Sequence, residues 1–156
     1  MLTPPLEPPT AEAANRPAPP RRRTPISIAQ IALEVALSLG ALGGGSLFVV
    51  DPTGSRMGMT PDQLSRTPFT DYRAAGLLLL AVHGVGPWIA IGAELARRSW
   101  APWAHLVVSG ALLTWMAVQV ATMGLDAPVQ AVMIGQGAVM ALLAGRRLIS
   151  PTDAPR

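Results

Sequence analysis

Cysteine and lysine are both missing from this 156-residue chain, and its aromatic residues amount to four Trp, two Phe and one Tyr. Without cysteine there is no disulfide framework and no thiol nucleophile. The quinone-linked thiol chemistry that some four-helix membrane enzymes perform is excluded as well. A metal would have to be held by two His and scattered carboxylates, and no H-x-x-E-H or similar spacing occurs. No metal and no cofactor is therefore expected. All twelve basic residues are arginine, which reads as a GC-rich codon bias and carries no mechanistic message. Clustered cations with aromatic or groove-reading neighbours are absent, so the basic pI near 11.0 does not signal a nucleic-acid partner. Charge is scarce too. Only 13% of residues are charged, against about 25% in an ordinary soluble domain. Half the residues are hydrophobic, and the charges cluster so that long windows carry almost none. That excludes a soluble globule and leaves a polytopic membrane protein.

What is present is four apolar spans, about 26–50, 74–96, 101–123 and 127–144. Each is close to the ~20 residues that cross a ~30 Å hydrocarbon core as a helix. The expected fold is all-α: four transmembrane helices in a bundle over 26–147, with a short amphipathic helix in the first outer loop. Residues 1–25 hold eight prolines and few large apolar side chains, so they read as a disordered Pro/Arg-rich tail. Within it "PAPPRR" (17–22) formally matches a PxxPxR ligand, and a solvated tail explains it better. A second short tail occupies 148–156. Span one follows Arg21–Arg23 like a signal peptide. Its apolar stretch exceeds the usual 7–15-residue core, however, and Glu34 interrupts it, so it reads as a retained span.

Arginine placement gives the topology independently. Nine arginines lie before span one, between spans two and three, or after span four; three lie between spans one and two, balanced by Asp51, Asp62 and Asp71. The expected location is the cell membrane, multi-pass, with both termini cytoplasmic. Trp100 and Trp103 suit the aromatic belt on that side.

The loop 51–73 carries turn and cap chemistry. "DPTG" (51–54) has Asp, Pro and Gly where a type I turn wants them. In "MTPDQL", Thr60 stands at N-cap, Pro61 at N1 and Gln63 at N3 of a capping box, with Met59 and Leu64 as a hydrophobic staple. "TPFTDY" offers a second helix start at Thr67, with Phe69 and Tyr72 anchoring at the outer interface. Capping explains these residues more economically than a ligand-facing lid does.

Within the membrane, depth sorts the polar residues. At ~1.5 Å per residue, Glu34, His105 and Gln136 fall at similar levels and form a candidate intramembrane polar cluster. An ionised carboxylate there is costly unless paired or hydrated. Glu34 thus reads equally as a proton or cation site and as a hydrogen-bonded contact between helices, and His105 mainly as such a contact. In "HGVGP" the ring of Pro87 cannot donate to the His83 carbonyl, so a kink is expected there, with His83 satisfied by a freed carbonyl or a neighbouring helix. Glu94 reads as reaching the cytoplasmic interface near Arg97 and Arg98. Small residues recur four apart at Ala127/Ala131/Gly135 and Gly137/Ala141/Gly145, and "GGG" (43–45) weakens the end of span one. Such faces serve the bundle itself, a homo-oligomer or another membrane-protein partner; otherwise the partner is the lipid bilayer.

The DPTG turn, the "TPF–DY" pair and the "LLLL…GVGP" run resemble the corresponding stretch of small uncharacterised bacterial four-helix integral membrane proteins of the actinobacterial type. The resemblance covers about residues 30–145 in layout. It implies the four-helix architecture and no catalytic residue. "IALEVALSLG" is more weakly similar to small multidrug-resistance exporters, whose first-helix glutamate couples protons to cationic substrates. Glu34 would take that role here, although the long outer loop and sparse aromatics depart from that pattern. The first expectation is a non-enzymatic structural or accessory component of the membrane. The second is a small proton-coupled transporter of lipophilic cations using Glu34. An outer-face enzyme built on His83 and the loop carboxylates lacks any nucleophile–base–orienter set.

Overall fold

The computed structural model describes residues 23–125 and 127–149. Both proline-rich and C-terminal tail expectations therefore fall almost wholly outside the described residues. The described chain is helical without strands, and four helices long and apolar enough to cross a membrane pack together. They are α1 (Pro25–Val50), α2 (Arg73–Leu95), α3 (Ala101–Met123) and α4 (Pro128–Ile149). Short connections join α2 to α3 and α3 to α4, and the longer 51–72 loop joins α1 to α2. One end of the bundle carries Arg23, Arg97, Arg98, Arg146 and Arg147, and the other carries the 51–72 loop.

Local chemistry explains the boundaries. Thr24 caps α1, its hydroxyl accepting from the Ser27 N–H at 3.3 Å, and Pro25 occupies the first turn where no donor is needed. The helix runs unbroken through Gly43–Gly45, contrary to the expected weakening, and stops at Asp51, before Pro52. In α2, residues 79–85 form a π-helical segment between two α-helical stretches. This π-helical segment ends just before Pro87, at the place where the sequence leads one to expect a kink. Helix α4 continues to Ile149 instead of ending near Ala144, and Arg146 and Arg147 lie in its last turns.

Glycines set the closest crossing. A Cβ on Gly45 would lie 3.0 Å from the Gly76 carbonyl oxygen, and one on Gly76 would lie 2.9 Å from that of Gly45. The two backbones of α1 and α2 are in direct contact there, a packing open only to residues without side chains. Gly137 of α4 instead makes room for a side chain, that of Leu113 of α3, whose Cδ2 would lie 2.9 Å from an added Cβ. Leu37, Ala90, Val108, Leu112, Met116 and Met140, one or more from every helix, form the apolar centre.

The loop keeps its predicted turn: the Gly54 N–H donates to the Asp51 carbonyl at 3.1 Å. The expected amphipathic helix is reduced to two 3₁₀ turns, Ser55–Met57 and Pro61–Leu64. Gln63 Oε1 accepts from the Thr60 N–H at 3.2 Å, as a capping box requires. No helix starts at Thr67, whose hydroxyl instead donates to the Leu64 carbonyl. Tyr72 is no interface anchor either. It is buried, stacked on Phe48 with ring centroids 5.1 Å apart, and its hydroxyl donates to the Thr60 carbonyl. Burial pushes that phenol above its usual pKa.

Asp51 organises the turn electrostatically. Its carboxylate accepts from the Thr53 hydroxyl at 2.6 Å, and from the Ser55 hydroxyl and Arg56 N–H at 2.8 Å each. These donors, the Thr53 hydroxyl foremost, hold the carboxyl well below its ordinary value of 3.8. A lowered carboxylate orders the fold fully above its unfolded pKa and loses that contribution only as pH falls toward the folded one. Amide-exchange protection of Ser55 and Arg56 should therefore stay constant from about pH 5 to 8, once corrected for intrinsic rates. Asp51→Ala should abolish it throughout that range.

Candidate functional site

The inward face of α1 is polar at its arginine end. Ser27, Gln30, Glu34 and Ser38, at spacings of three, four and four, are all buried. Those intervals place them on one stripe of a 3.6-residue helix. The stripe meets one ionisable residue from each other helix. Glu34 and His105 of α3 are fully buried, and Glu34 Oε1 lies 2.7 Å from His105 Nδ1. The other ring nitrogen, Nε2, is 3.4 Å from Glu94 Oε2 of α2. Glu94, 9% exposed, is held in turn by Arg147 of α4 at 2.9 Å and by the Ser27 hydroxyl. The Gln30 amide donates to Glu34 Oε1 at 3.2 Å.

Proton counting gives this chain its character. Two carboxylates face one imidazole and one guanidinium. With one proton on the Glu34–His105 pair beyond the one His105 directs at Glu94, the network is neutral. That proton sits on His105 Nδ1 or on Glu34 without changing the total charge. Neutrality is what a low-dielectric interior demands of buried ions. Glu34 Oε2 and Gln30 Oε1 make no hydrogen bond with the described residues.

The structure thus brings together two of the three predicted cluster members. Gln136 stands apart: its amide donates to the Leu33 carbonyl at 2.8 Å, tying α4 to α1. Glu94 is not at the interface beside Arg97 and Arg98 as expected; it is the centre of the network. Sequence reasoning also missed Ser27, Gln30 and Arg147. The helical spacing of the first two with Glu34 was a readable signal, whereas nothing local pointed to Arg147.

His83 and Pro87 lie beyond the apolar centre, toward the loop end. Ser38 bridges to the π segment, its hydroxyl donating to the Gly84 carbonyl at 2.6 Å and accepting from the Trp88 indole at 2.8 Å. His83 itself is 1% exposed, with its ring 5.7 Å from that of Trp115, and neither ring nitrogen completes a hydrogen bond. The Ala111 backbone stands near it without making a bond of good geometry. The neighbouring-helix contact expected of this imidazole is confined to the Ala111 backbone of α3, short of a full hydrogen bond. His83 lines a cavity of about 440 Å³ bounded by α1, α3, the start of α4 and the loop, where Met57, Met59 and Gln63 form a wall.

No protein-family model, curated protein or solved structure matches this chain.

Proposed function

We propose that this chain is a non-enzymatic, multi-pass protein of the cell membrane, a structural or accessory component with both termini cytoplasmic. The observation that carries this reading is the continuous chain Glu34–His105–Glu94–Arg147, one member per helix. Each carboxylate is committed to a partner inside the protein. The network ties the four helices together at their arginine-rich ends. No cargo cation is needed to neutralise it. The arginine distribution supports the cytoplasmic placement of that end, and the likeness to small bacterial four-helix membrane proteins supports the layout.

A second reading, a proton-coupled carrier of lipophilic cations, draws on the unpartnered Glu34 Oε2 and on the short Glu34–His105 contact. Against it, Glu34 does not line the cavity, from which Leu37 and Leu112 of the apolar core separate it. Reconstituted protein under an imposed pH gradient should take up tetraphenylphosphonium no faster than empty liposomes, for wild type and Glu34→Gln alike. Wild-type uptake that disappears in Glu34→Gln would replace the accessory reading with the carrier.

A further inference from the structure

Helices α1 and α4 are clamped toward their arginine-rich ends, where the Gln136 amide holds the Leu33 carbonyl. Toward the loop the cavity occupies the seam between them. Ala36, Gly40 and Gly44 of α1, set four apart, face it with nothing larger than a methyl group, and Val129 and Met133 of α4 line it as well. We propose that this seam binds one uncharged lipid lengthwise, a molecule of the acylglycerol class, with its hydrocarbon chain in the cavity and its hydroxyl- and ester-bearing head at the loop end.

Length and polarity select that occupant. The lining residues of α1 run from Ala36 to Phe48, a rise of about 18 Å at ~1.5 Å per residue. The chains of one leaflet fill about 15 Å, half of the ~30 Å hydrocarbon core, so the slot takes such a chain end to end. Its deep part is walled by Leu37, Ala41, Leu112 and Met116. His83 lines it too, but both ring nitrogens are covered by protein, so it offers no polar atom to an occupant. Amides gather at the loop end, from Gln63, Gln119 and Gln130. Two of them are engaged: Gln63 Oε1 accepts from the Thr60 N–H, and Gln130 spans the Gly124 carbonyl and the Ala127 N–H. The Gln119 amide makes no hydrogen bond within the described protein, yet neither of its polar atoms is sealed off. It is left to meet an oxygen of the ligand. No charged side chain lines the cavity, so a phosphate or carboxylate would shed water there without gaining a counter-ion.

The seam also provides the route of entry. Ala36 and Gly40 of α1 and Val129 of α4 line the cavity and are exposed on the apolar flank of the bundle. A chain therefore slides in sideways from the hydrocarbon phase, between α1 and α4, while its head stays at the level of the loop. The loop wall is open there as well, since Met57, Gly58 and Gln63 are both lining and exposed. Met57, Met116 and Met133 give the walls adaptable thioether surface that conforms to a bent chain.

The test uses the full chain in phosphatidylcholine nanodiscs with a monoacylglycerol that carries a diazirine at the end of its chain. Photolysis followed by peptide mass spectrometry locates the adducts. Saturable labelling is expected on Leu37, Leu112 and Met116, which are buried and out of reach of bulk lipid. Unlabelled monoolein should compete, and oleoyl lysophosphatidate, the same molecule with a phosphate on its head, should compete at least about tenfold less well. A Cβ on Gly44 would lie 3.7 Å from Leu79 Cδ2 and 3.9 Å from Met57 Cε, two wall side chains, so a larger residue there grows into the cavity. Gly44→Leu should therefore cut the labelling by about tenfold or more. Gly40→Leu, whose Cβ would meet nothing within 4 Å, narrows the seam without displacing a neighbour and decides the case if Gly44→Leu unfolds. Gln119→Leu should weaken labelling about two- to tenfold, the worth of one net hydrogen bond. Adducts confined to lipid-facing residues such as Leu39 and Val132 would overturn the proposal. So would unsaturable labelling, equal competition by lysophosphatidate, full labelling in the folded glycine variants, or undiminished labelling in Gln119→Leu. None of these outcomes bears on the ionic network, whose reading fails or stands separately.

Discussion

Glu94→Leu is expected to lower the unfolding free energy by about 3–5 kcal/mol, the cost of removing one partner from a buried ion pair. The substitution strips Arg147 of its carboxylate, His105 of one of its two acceptors and Ser27 of its acceptor in a single step. The loss comes mainly from the charges left behind rather than from the bond itself. Pairing the change with Arg147→Met should therefore recover much of it, because an apolar pair of similar volume replaces two buried ions without leaving either uncompensated. Reversible unfolding in mixed micelles, followed by tryptophan fluorescence, measures all three variants. Strictly additive losses in the double variant would show that Glu94 and Arg147 are not coupled, and the idea of a network joining the helix ends would fail with them.

Gly76→Ala should be nearly as damaging, for a steric reason. The added carbon would lie 2.8 Å from Phe48 Cβ, 2.9 Å from the Gly45 carbonyl oxygen and 3.2 Å from the Val49 nitrogen. Two of those three atoms are backbone and the third is next to it, so no flexible side chain can yield. Helices α1 and α2 must move apart along the line where Ser38 bonds to Gly84, at a cost of about 2–3 kcal/mol. The contrast lies within the same chain. At Gly92 and Gly110 a Cβ meets nothing within 4 Å, and there alanine should stabilise by about 0.5–1 kcal/mol through helix propensity. The same unfolding assay reads both. A neutral Gly76→Ala would mean that the two helices do not cross backbone to backbone.

The two cases differ in how far the chain itself announces them. Gly76 sits in a plainly apolar span, and small residues in such spans signal close packing, but which glycine is intolerant depends on the crossing point. Glu94 was visible and misjudged. It stands near the arginine-rich end of its span, where sequence position alone puts water within reach of a carboxylate. What hides its partner is the extent of α4. The apolar run of span four ends near Ala144, whereas α4 carries Arg146 and Arg147 on to Ile149. An arginine on a helix can turn its long side chain inward to a carboxylate, and that contact spans 53 residues of sequence. Glu34 with His105 is legible because an ionisable group inside an apolar span must seek a partner.

What the amino-acid order determined unaided is everything set by one helix and the solvent around it. This covers the four spans, their ends to within a few residues, the arginine-rich end, the Asp51 turn and the capping box, because hydrophobic length and local hydrogen bonding are properties of consecutive residues. Tertiary structure alone decided which of the polar residues meet. It joined Glu94 to Arg147, diverted Gln136 to the Leu33 carbonyl, buried Tyr72 and left His83 facing a cavity. The reason is geometric: helices of equal hydrophobicity can rotate and slide against one another at little cost in lipid, and it is the backbone contact at Gly45 and Gly76, with the ionic chain, that selects one arrangement.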